Sequence, residues 1–430
     1  MQLVAYGAQD VYLTGNPKVT FFQAVYKRHT NFAMENIEQT VNGTAAASGR
    51  VSVTVARNGD LVGDMYIELS TASTARQTQS ILNDASGNNF DTNWIAERAI
   101  KSAELSIGGQ RIDKHYQRWW RLYSELYLSD AAKTNWGKMT TAPVPGTGGK
   151  QVFLPLVFFF NRNPGLALPL IALQYHEVRI DFDLASNFDK YLNPSTFKVW
   201  GNYIYLDTEE RRRFAQKGHE YLIEQVQHTG TDTVTKNATK QVRLSYNHPV
   251  KELVWCVAEG DSEGAQTAWN LGSEDANADV DMTVVPVIAT SNTFIAANQL
   301  GCPSYDAAGS KTAAPLAFTE EVMGNLDTFK LVLNGQDRFK EQSGKYFNQV
   351  QSYQHHSGTP YAGVYSYSFA LKPEEHQPTG TCNFSRIDNA QVAIKCRNVG
   401  GATSKNLDMF AVNYNVLRVQ SGMGGLAFSN

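Results

Sequence analysis

The sequence predicts an all-β protein in which one chain carries the same antiparallel sandwich twice. Three observations support this expectation: the length of the chain, many short segments that alternate apolar with polar residues, and segments that recur in the same order. The chain has 430 residues, of which 42% are hydrophobic. A single hydrophobic core rarely grows beyond about 250–300 residues, so two domains are expected.

Alternating segments bounded by turn residues predict the individual strands. Val51, Val53 and Val55 alternate with polar residues before Asn58-Gly59, a dipeptide typical of tight hairpin turns. Many short strands without a strand–helix–strand rhythm favour an antiparallel sandwich or barrel over a parallel sheet. The same alternation recurs at Met65/Ile67/Leu69, at Leu105/Ile107 before Gly108-Gly109, and at Val178/Ile180/Phe182.

Segments of the second half resemble segments of the first half. The segment 51–62 resembles 242–254, and the segment 105–111 resembles 331–337. Chance similarity among β-rich segments is the alternative, but matches in the same order favour a duplication with loops of different length. The third match is a spacing of four and then five residues, shared by Phe160, Pro164 and Pro169 and by Phe369, Pro373 and Pro378.

The duplication predicts an N-terminal arm over 1–28, a first sandwich over 29–212 and a second sandwich over 213–430. The charged stretch 207–219 has a helical pattern and is expected to join the two copies. The second copy has a long insert, about 258–320, that is rich in Ala, Asn, Asp, Ser, Thr and Gly. This composition is typical of exposed loops, and loops of such length are often functional.

The N-terminal arm carries the clearest helical pattern of the sequence. Asn16 can cap a helix that starts at Pro17, and apolar residues follow at helical spacing between basic residues. The pattern predicts a short amphipathic helix, which packs either on its own domain or beneath a neighbouring subunit. The sequence leaves both possibilities open. In the second case the assembly residues are Phe21, Phe22, Val25, Tyr26 and Arg28.

Charge and cysteine content argue against two classes of protein. The net charge is −3, and the one dense basic run, 211–213, directly follows Glu209 and Glu210, as on a solvated helix. Direct contact with nucleic acid is therefore not expected. Four cysteines without C-x-x-C spacing do not suit a disulfide-stapled secreted module. Charged residues are only 18%, which favours a surface covered by other subunits, although a glycan coat or an amide-rich surface has the same composition.

No catalytic, cofactor or metal site is predicted, and the partial motifs all fail. His219-Glu220 begins a zinc-protease pattern, but position 223 is Ile instead of His. His355 and His356 are adjacent and cannot share one face of a strand, so a solvated loop is expected. The glycine pattern at 422–427 leaves no room for a nucleotide-binding helix and predicts a flexible tail. The acidic alternation over 275–281 lacks the Gly and Glu of a calcium loop.

Two non-structural functions are weighed against these expectations. A two-sandwich glycan hydrolase needs close carboxylates with one raised pKa, and Glu177, Asp181 and Asp183 are candidates. Asp181 and Asp183 alternate with apolar residues, however, as on the solvent face of a strand. A sugar-binding sandwich on a spike or fibre is compatible with the tyrosines and the long loops. Glycan release supports the hydrolase, and the assembly state separates the binding module from a structural protein.

Long blocks along the chain resemble the major capsid proteins of the nucleocytoplasmic large DNA viruses, in particular the chlorovirus type. The opening LVAYGAQDVYLTGNPKVTFF and the following YKRHTNF carry this resemblance. Further blocks occur in the same order over nearly the whole chain: IGGQRIDKHY, PGLALPLIALQYHEV, FAQKGHEYLIEQ, LNGQDRF, SFALKPEEHQPTGTCNFSRIDNA and NYNVLRVQSGMGGLAF. The insert at about 258–320 matches no such block.

The resemblance implies two tandem eight-stranded jelly rolls, no enzymatic activity and no cofactor. It also implies a homotrimer that forms a pseudo-hexagonal capsomer and contacts neighbouring capsomers, minor capsid proteins and penton proteins. The expected location is the virion shell, after synthesis and assembly in the host cytoplasm. Capsid proteins of this kind can carry glycans, so the sequon residues Asn42, Asn237 and Asn383 are weak candidates, and unmodified polar loops are the alternative.

Overall fold

The computed structural model describes residues 7–71, 94–141, 149–186, 188–258, 324–360, 363–397 and 404–428. Within these residues the strands form four antiparallel sheets. Two sheets lie in residues 32–206, the first lobe, and two lie in residues 219–426, the second lobe. The predicted insert lies outside the described residues from 259 onward, and so does the acidic alternation over 275–281.

The first lobe consists of two five-stranded sheets. In one sheet the order is β1-β10-β4-β7, with β8 beside β4, and in the other it is β2-β3-β9-β5-β6. The strands are β1 (Phe32–Gln39), β2 (Val41–Asn42), β3 (Arg50–Thr54), β4 (Leu61–Ser70), β5 (Ile100–Ile107), β6 (Gln110–Tyr116), β7 (Gln151–Pro155), β8 (Leu168–Pro169), β9 (Val178–Leu184) and β10 (Lys198–Leu206).

The second lobe consists of a six-stranded and a five-stranded sheet. The six-stranded sheet has the order β11-β20-β13-β17, with β18 beside β13 and β21 beside β20, and the other sheet has the order β12-β19-β14-β15, with β16 beside β14. The strands are β11 (His219–Thr235), β12 (Thr239–Leu244), β13 (Pro249–Ala258), β14 (Leu326–Leu333), β15 (Gln336–Asp337), β16 (Gln342–Ser343), β17 (Val364–Ser368), β18 (Cys382–Asn383), β19 (Ala390–Cys396), β20 (Ser404–Gln420) and β21 (Met423–Leu426).

The strand order of the first lobe is repeated in the second lobe. Apart from β2, β8, β16, β18 and β21, each lobe has eight strands in the described residues. In both lobes one sheet joins the first, eighth, third and sixth strands, and the other joins the second, seventh, fourth and fifth. Two packed sheets of eight strands in this order are a jelly roll, so the predicted tandem jelly rolls are confirmed.

The recurring sequence segments occupy equivalent strands of the two lobes. Residues 51–62 run from β3 into β4, and residues 242–254 run from β12 into β13. Residues 105–111 and 331–337 form the hairpins β5–β6 and β14–β15, whose turn residues all have positive φ: Gly108 (58°), Gly109 (82°), Asn334 (51°) and Gly335 (77°). Such turns need Gly or Asn, which explains why these two segments look alike.

Helices connect the strands and join the two lobes. The helices are α1 (Asp10–Thr14), α2 (Ile95–Ala99), α3 (Gln117–Leu126), α4 (Asp130–Thr140), α5 (Phe159–Arg162), α6 (Phe188–Tyr191), α7 (Thr208–Gln216) and α8 (Gln351–His355). Between the fifth and sixth strands, the first lobe has α3 and α4 and the second lobe has a π-helical turn, Tyr346–Val350, followed by α8. Helix α7 links β10 to β11, and the sequence-based boundary at 212/213 falls inside it.

The predicted amphipathic helix over 17–26 is wrong. The only arm helix in the described residues is α1, which ends at Thr14, and Asn16 has a left-handed φ of 51° instead of capping a helix. The apolar side chains that follow are almost fully exposed, with 93% for Phe21 and 99% for Phe22. A helix this short is stable only when its apolar face packs against another surface, and no surface among the described residues covers these side chains.

Candidate assembly interface

The contact between the two lobes joins two different kinds of surface. The second lobe contributes the outer face of its β11-β20-β13-β17 sheet, and the first lobe contributes β6, α3 and α5. On β13, Leu253 and Trp255 point into the core of the second lobe, whereas Val254 and Cys256 pack into the core of the first lobe. This sheet is therefore buried on both faces. The backbone N–H of Val226 donates to Asp113 Oδ1 at 3.0 Å and fixes β11 along β6.

A buried ion cluster crosses the contact. Glu224 on β11 lies 3.0 Å from Arg162 at the end of α5 and 2.6 Å from Lys251 on β13. Lys251 is 1% exposed and also donates to the carbonyl of Pro373 at 2.7 Å. Burial by itself would raise the pKa of Glu224, but Arg162 and Lys251 together lower it. The carboxylate therefore stays charged and holds cations from both lobes.

A second buried cluster contains a histidine cation. Tyr127, directly after α3, donates to Glu252 Oε2 at 2.5 Å, and His356 Nε2 lies 2.5 Å from Glu252 Oε1. His356 Nδ1 lies 3.2 Å from Glu374. Burial lowers the pKa of His356, but Glu252 and Glu374 outweigh it and raise the pKa to about 9. The prediction that His355-His356 lies in a solvated loop is wrong. His355 is the last residue of α8, and the His356 side chain is buried against Glu252, which comes from a distant strand.

A third ionic contact joins α3 to β20. Arg118 Nε lies 2.7 Å from Asp408 Oδ2, and His228 Nε2 lies 3.2 Å from Asp408 Oδ1. Burial would raise the pKa of Asp408, but His228 and Arg118 lower it. The His228 ring also stacks on Phe410, with a centroid distance of 4.5 Å. Each of the three clusters thus links helices or adjoining residues of the first lobe to the same sheet of the second lobe.

The C-terminal segment is ordered and packs on the first lobe, so the prediction of a flexible tail is wrong. Strand β21 pairs with β20, and the N–H groups of Gly424 and Leu426 donate to His176 Nδ1 and Gln110 Oε1, both at 3.1 Å. The glycines that suggested flexibility allow this close approach. A Cβ atom on Gly424 would lie 2.7 Å from the buried side chain of Leu173.

The outer face of the β1-β10-β4-β7 sheet, here named the free sheet face, was not identified from the sequence. Tyr66, Trp200 and Phe153 lie on three different strands of this face and are only half-buried. Met34 on β1 is 57% exposed. The rings of Tyr66 and Phe153 contact edge to face with centroids 5.9 Å apart, and Trp200 Nε1 donates to Glu68 at 2.7 Å. Charged side chains share this face, since Glu38 lies opposite Trp200 and Lys198 lies opposite Glu68. The face therefore mixes aromatic and charged side chains, a composition that suits an interaction surface.

Comparisons with known proteins agree over both lobes. A family model described as large eukaryotic DNA virus major capsid protein matches residues 210–425, and a model of the major capsid protein N-terminus matches residues 20–207. The chain is 44% identical to the major capsid protein of Paramecium bursaria Chlorella virus 1 over all of this chain and 99% of that protein. The chain belongs to the large eukaryotic DNA virus major capsid protein family.

Other capsid proteins extend the comparison. The major capsid protein of Pyramimonas orientalis virus is 42% identical, with 100% of this chain and 99% of the relative aligned. A chain of the PBCV-1 virus capsid superposes with a TM-score of 0.73 at 39% identity and covers 96% of this chain and 100% of its own length. The Faustovirus major capsid protein has a TM-score of 0.71 at 13% identity, and the match covers 97% of this chain and 95% of that chain. At this identity the match supports the fold alone. As a member of this family, the chain is a structural protein of a virion shell and not an enzyme.

The residues predicted to act in capsid assembly or modification all lie at the surface. Phe21, Phe22, Val25, Tyr26 and Arg28 of the arm are exposed. The three sequon residues are exposed as well: Asn42 on β2, Asn237 at a positive-φ turn, and Asn383, whose Oδ1 accepts from the N–H of Ser385 at 3.0 Å. The structure does not bring the arm residues and the sequons into one site.

The carboxylates considered for hydrolase chemistry have a structural role in this capsid protein. Asp181 lies with Arg179 and Asp183 on the outer face of β9, as its alternation with the core residues Ile180 and Phe182 predicts. Its neighbours cover it, and it accepts from Ser52 Oγ at 2.6 Å and Arg179 Nε at 2.7 Å. Burial would raise the pKa of Asp181, but Ser52 and Arg179 lower it. A general acid needs the opposite shift. Among the described residues, no group of three or more His, Cys, Asp or Glu side chains could hold a metal ion.

Proposed function

We propose that three copies of this chain form a closed trimer with six lobes, and that such trimers tile the icosahedral shell of a large double-stranded DNA virus. The observation that carries this proposal is the strand order, which occurs twice in one chain. Two similar lobes repeated around a threefold axis give a six-cornered unit, which packs in a flat array almost as a true hexamer does. A threefold head-to-tail contact closes on itself, so growth stops at the trimer until trimers meet.

Sedimentation of the purified chain tests the trimer. The expected particle has three times the chain mass of 47.6 kDa. A particle that remains a monomer at micromolar concentration would contradict the proposal. Concentration dependence separates a specific closed trimer from open aggregation, because a closed ring shows one sharp species and open growth shows a continuous series.

The proposed division of the chain follows from the two lobes. The arm comprises 1–28, the first jelly roll 29–212, and the second jelly roll 213–430, with an outward insert at about 258–320. This division is supported by the start of β1 at Phe32 and of β11 at His219. Limited proteolysis of the trimer is expected to cut first in the arm and in the insert, and an early cut inside either jelly roll would contradict these boundaries.

The exposed arm is proposed to dock beneath a neighbouring subunit. Among the described residues, no surface buries Phe21, Phe22, Val25 or Tyr26, and Arg28 adds a charge at the end of this stripe. A contiguous group of exposed aromatic and apolar side chains is typical of an interaction site. The partner supplies the apolar surface that the described part of this chain does not provide.

Paired substitutions in the arm test this docking. The variant Phe21→Ser/Phe22→Ser is expected to unfold at the same temperature as the wild-type lobes, because both side chains are exposed, and to assemble into trimers or larger arrays less completely. Leu13→Ser, in the same arm and also exposed, is the control and is expected to assemble normally. Equal assembly of all three proteins in sedimentation assays would remove Phe21 and Phe22 from the interface.

Further partners follow from the same role in the shell. Neighbouring capsomers, minor capsid proteins and penton proteins are proposed to contact the trimer, with synthesis and assembly in the host cytoplasm. Asn42, Asn237 and Asn383 are proposed as glycan positions because all three are exposed. Peptide mass measurements on protein from virions test the glycans: unmodified peptides at all three positions would contradict this part of the proposal.

A further inference from the structure

We propose that the first lobe binds a carboxylated sugar in a pocket on the outer face of its β2-β3-β9-β5-β6 sheet. A cavity of about 340 Å³ opens on this face, at the end of β6 directly before α3. The ligand assigned to it has the size of one hexose and carries a carboxylate, as glucuronate does. This inference goes beyond the shell-building role and does not depend on the proposed trimer.

The polar lining of the cavity suits a ligand with many hydroxyl groups. Its volume lies at the lower end of the range for small-molecule sites, roughly 300–1,000 Å³. Most such sites have apolar walls with a few polar groups, whereas polar side chains dominate here. The side chains that carry the argument are those of Ser48, Lys101, Ser102, Lys114, Tyr116 and Asp183.

Three of these side chains stand in one row across neighbouring strands. Ser102 on β5 lies opposite Tyr116 on β6 and opposite Asp183 on β9. Ser102 Oγ donates to Asp183 Oδ2 at 2.9 Å, and Arg50 Nε lies 3.7 Å from Asp183 Oδ1. The carboxylate is therefore held in place while 37% of the side chain stays exposed. A fixed carboxylate of this kind can accept from two neighbouring sugar hydroxyls, and Tyr116 adds an apolar surface beside it.

The contact between the two lobes fixes the position of Tyr116. Its ring meets the His228 ring of β11 edge to face, with centroids 4.9 Å apart, and the Phe410 ring of β20 with centroids 6.0 Å apart. Tyr116 is thus already ordered before a ligand arrives. Binding to a preorganised wall costs less conformational entropy than binding to a mobile side chain.

Two lysines supply the positive charge that a carboxylate needs. Lys114 Nζ lies 4.0 Å from Glu104, a distance that leaves its ammonium able to approach a ligand carboxylate more closely. Lys101 stands where the pairing of β5 with β9 shifts between Ile100 and Ser102. Such bulges re-aim side chains and are common beside functional sites. Of the described residues that line the pocket, Asp183 alone is acidic, so the lining favours an anionic ligand.

The backbone of Ser48 is strained, and the strain favours a binding role. Ser48 is the third residue of the turn 46–49, in which the N–H of Gly49 donates to the carbonyl of Ala46 at 3.0 Å. Its φ is 54°, a left-handed value that Gly or Asn normally provides at this position. Glycine would relieve the strain but would remove a hydroxyl from the pocket. Strained residues of this kind cluster at ligand sites.

A carboxylated sugar is the ligand class that satisfies all of these groups together. Its carboxylate meets the lysine ammonium groups, two of its hydroxyls donate to Asp183, and the serine hydroxyls bind its other oxygens. A neutral sugar would leave the lysines without an anionic partner. A bare phosphate or sulfate ion would meet the lysines but would stand beside the Asp183 carboxylate, and two like charges at this distance repel each other.

Binding of three small ligands to the purified protein tests the pocket by ligand-observed NMR. The ligands are glucuronate, glucose and acetate, and the protein is made in bacteria so that it carries no glycans. Glucuronate is expected to bind in the millimolar range, and glucose about 10-fold more weakly because it lacks the charge. Acetate is expected not to bind measurably because it lacks the hydroxyls. Acetate as tight as glucuronate, or no binding of glucuronate at millimolar concentration, would overturn the proposal.

Substitution of one lysine locates the site. Lys114→Met keeps the length of the side chain, and it is expected to weaken glucuronate about 10-fold and to leave glucose unchanged. Lys330→Met is the matched control, because Lys330 is 30% exposed, as Lys114 is 27% exposed, and it pairs with Asp337 in the second lobe. The control is expected to bind glucuronate as the wild type does. Equal weakening by both substitutions, or by neither, would overturn the placement of the carboxylate at Lys114.

The variant Ser48→Gly separates a binding role from a structural role. It is expected to unfold at about the same temperature as the wild type, because relief of the left-handed strain offsets the greater freedom of glycine in the unfolded chain. Its affinity for glucuronate is expected to fall several-fold, since one hydroxyl is lost. Unchanged affinity would remove Ser48 from the pocket and would contradict the functional explanation of its strain.

Protein purified from virions distinguishes two sources of the sugar. If a glycan carried by the shell itself fills the pocket, this protein binds added glucuronate more weakly than protein made in bacteria. If the sugar belongs to another surface that the shell meets, the two preparations bind glucuronate equally. Both results support the pocket and differ only in where its ligand comes from.

Discussion

The β1-β10-β4-β7 and β11-β20-β13-β17 sheets have the same strand order but opposite surroundings. The second sheet is buried on both faces, and its outer face carries Glu224, Glu252 and Asp408, each with partners in the first lobe. The first sheet presents Tyr66 and Trp200 on its outer face. The inner faces of both sheets pack against the hydrophobic cores, and this shared packing preserves the fold. The outer faces differ in their side chains because only the outer face of the second sheet contacts the other lobe. Ions suit a partner in the same chain, because folding always brings that partner and never leaves the charge buried alone.

The largest effect is expected from breaking the buried ion cluster of the second sheet. Glu224→Gln removes the carboxylate that holds both Arg162 and Lys251, and it is expected to reduce the free energy of unfolding by about 3–5 kcal/mol. Glu220→Gln, on the same strand, is the control: Glu220 is 62% exposed and pairs with Arg418 at 2.9 Å, so a change below about 1 kcal/mol is expected. Chemical denaturation at pH 7 measures both. Equal stability of the two variants would show that the lobes do not depend on this cluster.

The His356 cluster predicts a pH dependence that the first sheet does not share. The pKa of His356 is raised in the folded protein, from 6.5 to about 9. Its cation therefore stabilises the fold fully below pH 6.5, and this contribution is lost as the pH rises through about 9. The expected loss is on the order of 3 kcal/mol. Denaturation curves between pH 6 and pH 9, a range that follows from the two pKa values, measure this loss of stability. The variant His356→Gln is the control, and its free energy of unfolding should not fall over this range. A wild-type protein with the same slope as the variant would exclude a buried cation.

A smaller effect is expected where the C-terminal hairpin packs between the lobes. Gly424→Val places side-chain atoms against Leu173 and Ile107 and is expected to destabilise the protein by about 1–3 kcal/mol. Gly425→Val is the matched control, because its Cβ would meet only the end of the Gln110 side chain at 3.1 Å. Thermal unfolding compares the two. A flexible tail would tolerate both substitutions equally.

The features predicted correctly from the sequence are those encoded by neighbouring residues. Alternation at Val51–Val53 and Met65–Ile67 identified β3 and β4, and the paired turns at Gly108-Gly109 and Asn334-Gly335 identified equivalent hairpins. The repeat then gave two lobes of one fold. These signals are local because strands alternate with a period of two and tight turns need residues that tolerate positive φ.

The features missed by sequence analysis depend on contacts between distant residues. His356 is a buried cation only because Glu252, 104 residues away, lies beside it. The C-terminal glycines look flexible until Leu173 and His176 are placed against them. The arm helix was misplaced because an amphipathic pattern does not say whether a packing surface exists. The free sheet face had one signal, the aromatic residues Tyr66 and Trp200 at outward positions, but only the strand pairing puts them on one face.

Electron microscopy of the purified wild-type protein tests the central claim most directly. The account predicts single closed particles of three chains whose end-on averages show six lobes at nearly equal spacing, since the two lobes of each chain have the same strand order. End-on averages with three separate two-lobed arms, or fields of isolated two-lobed monomers, would contradict it.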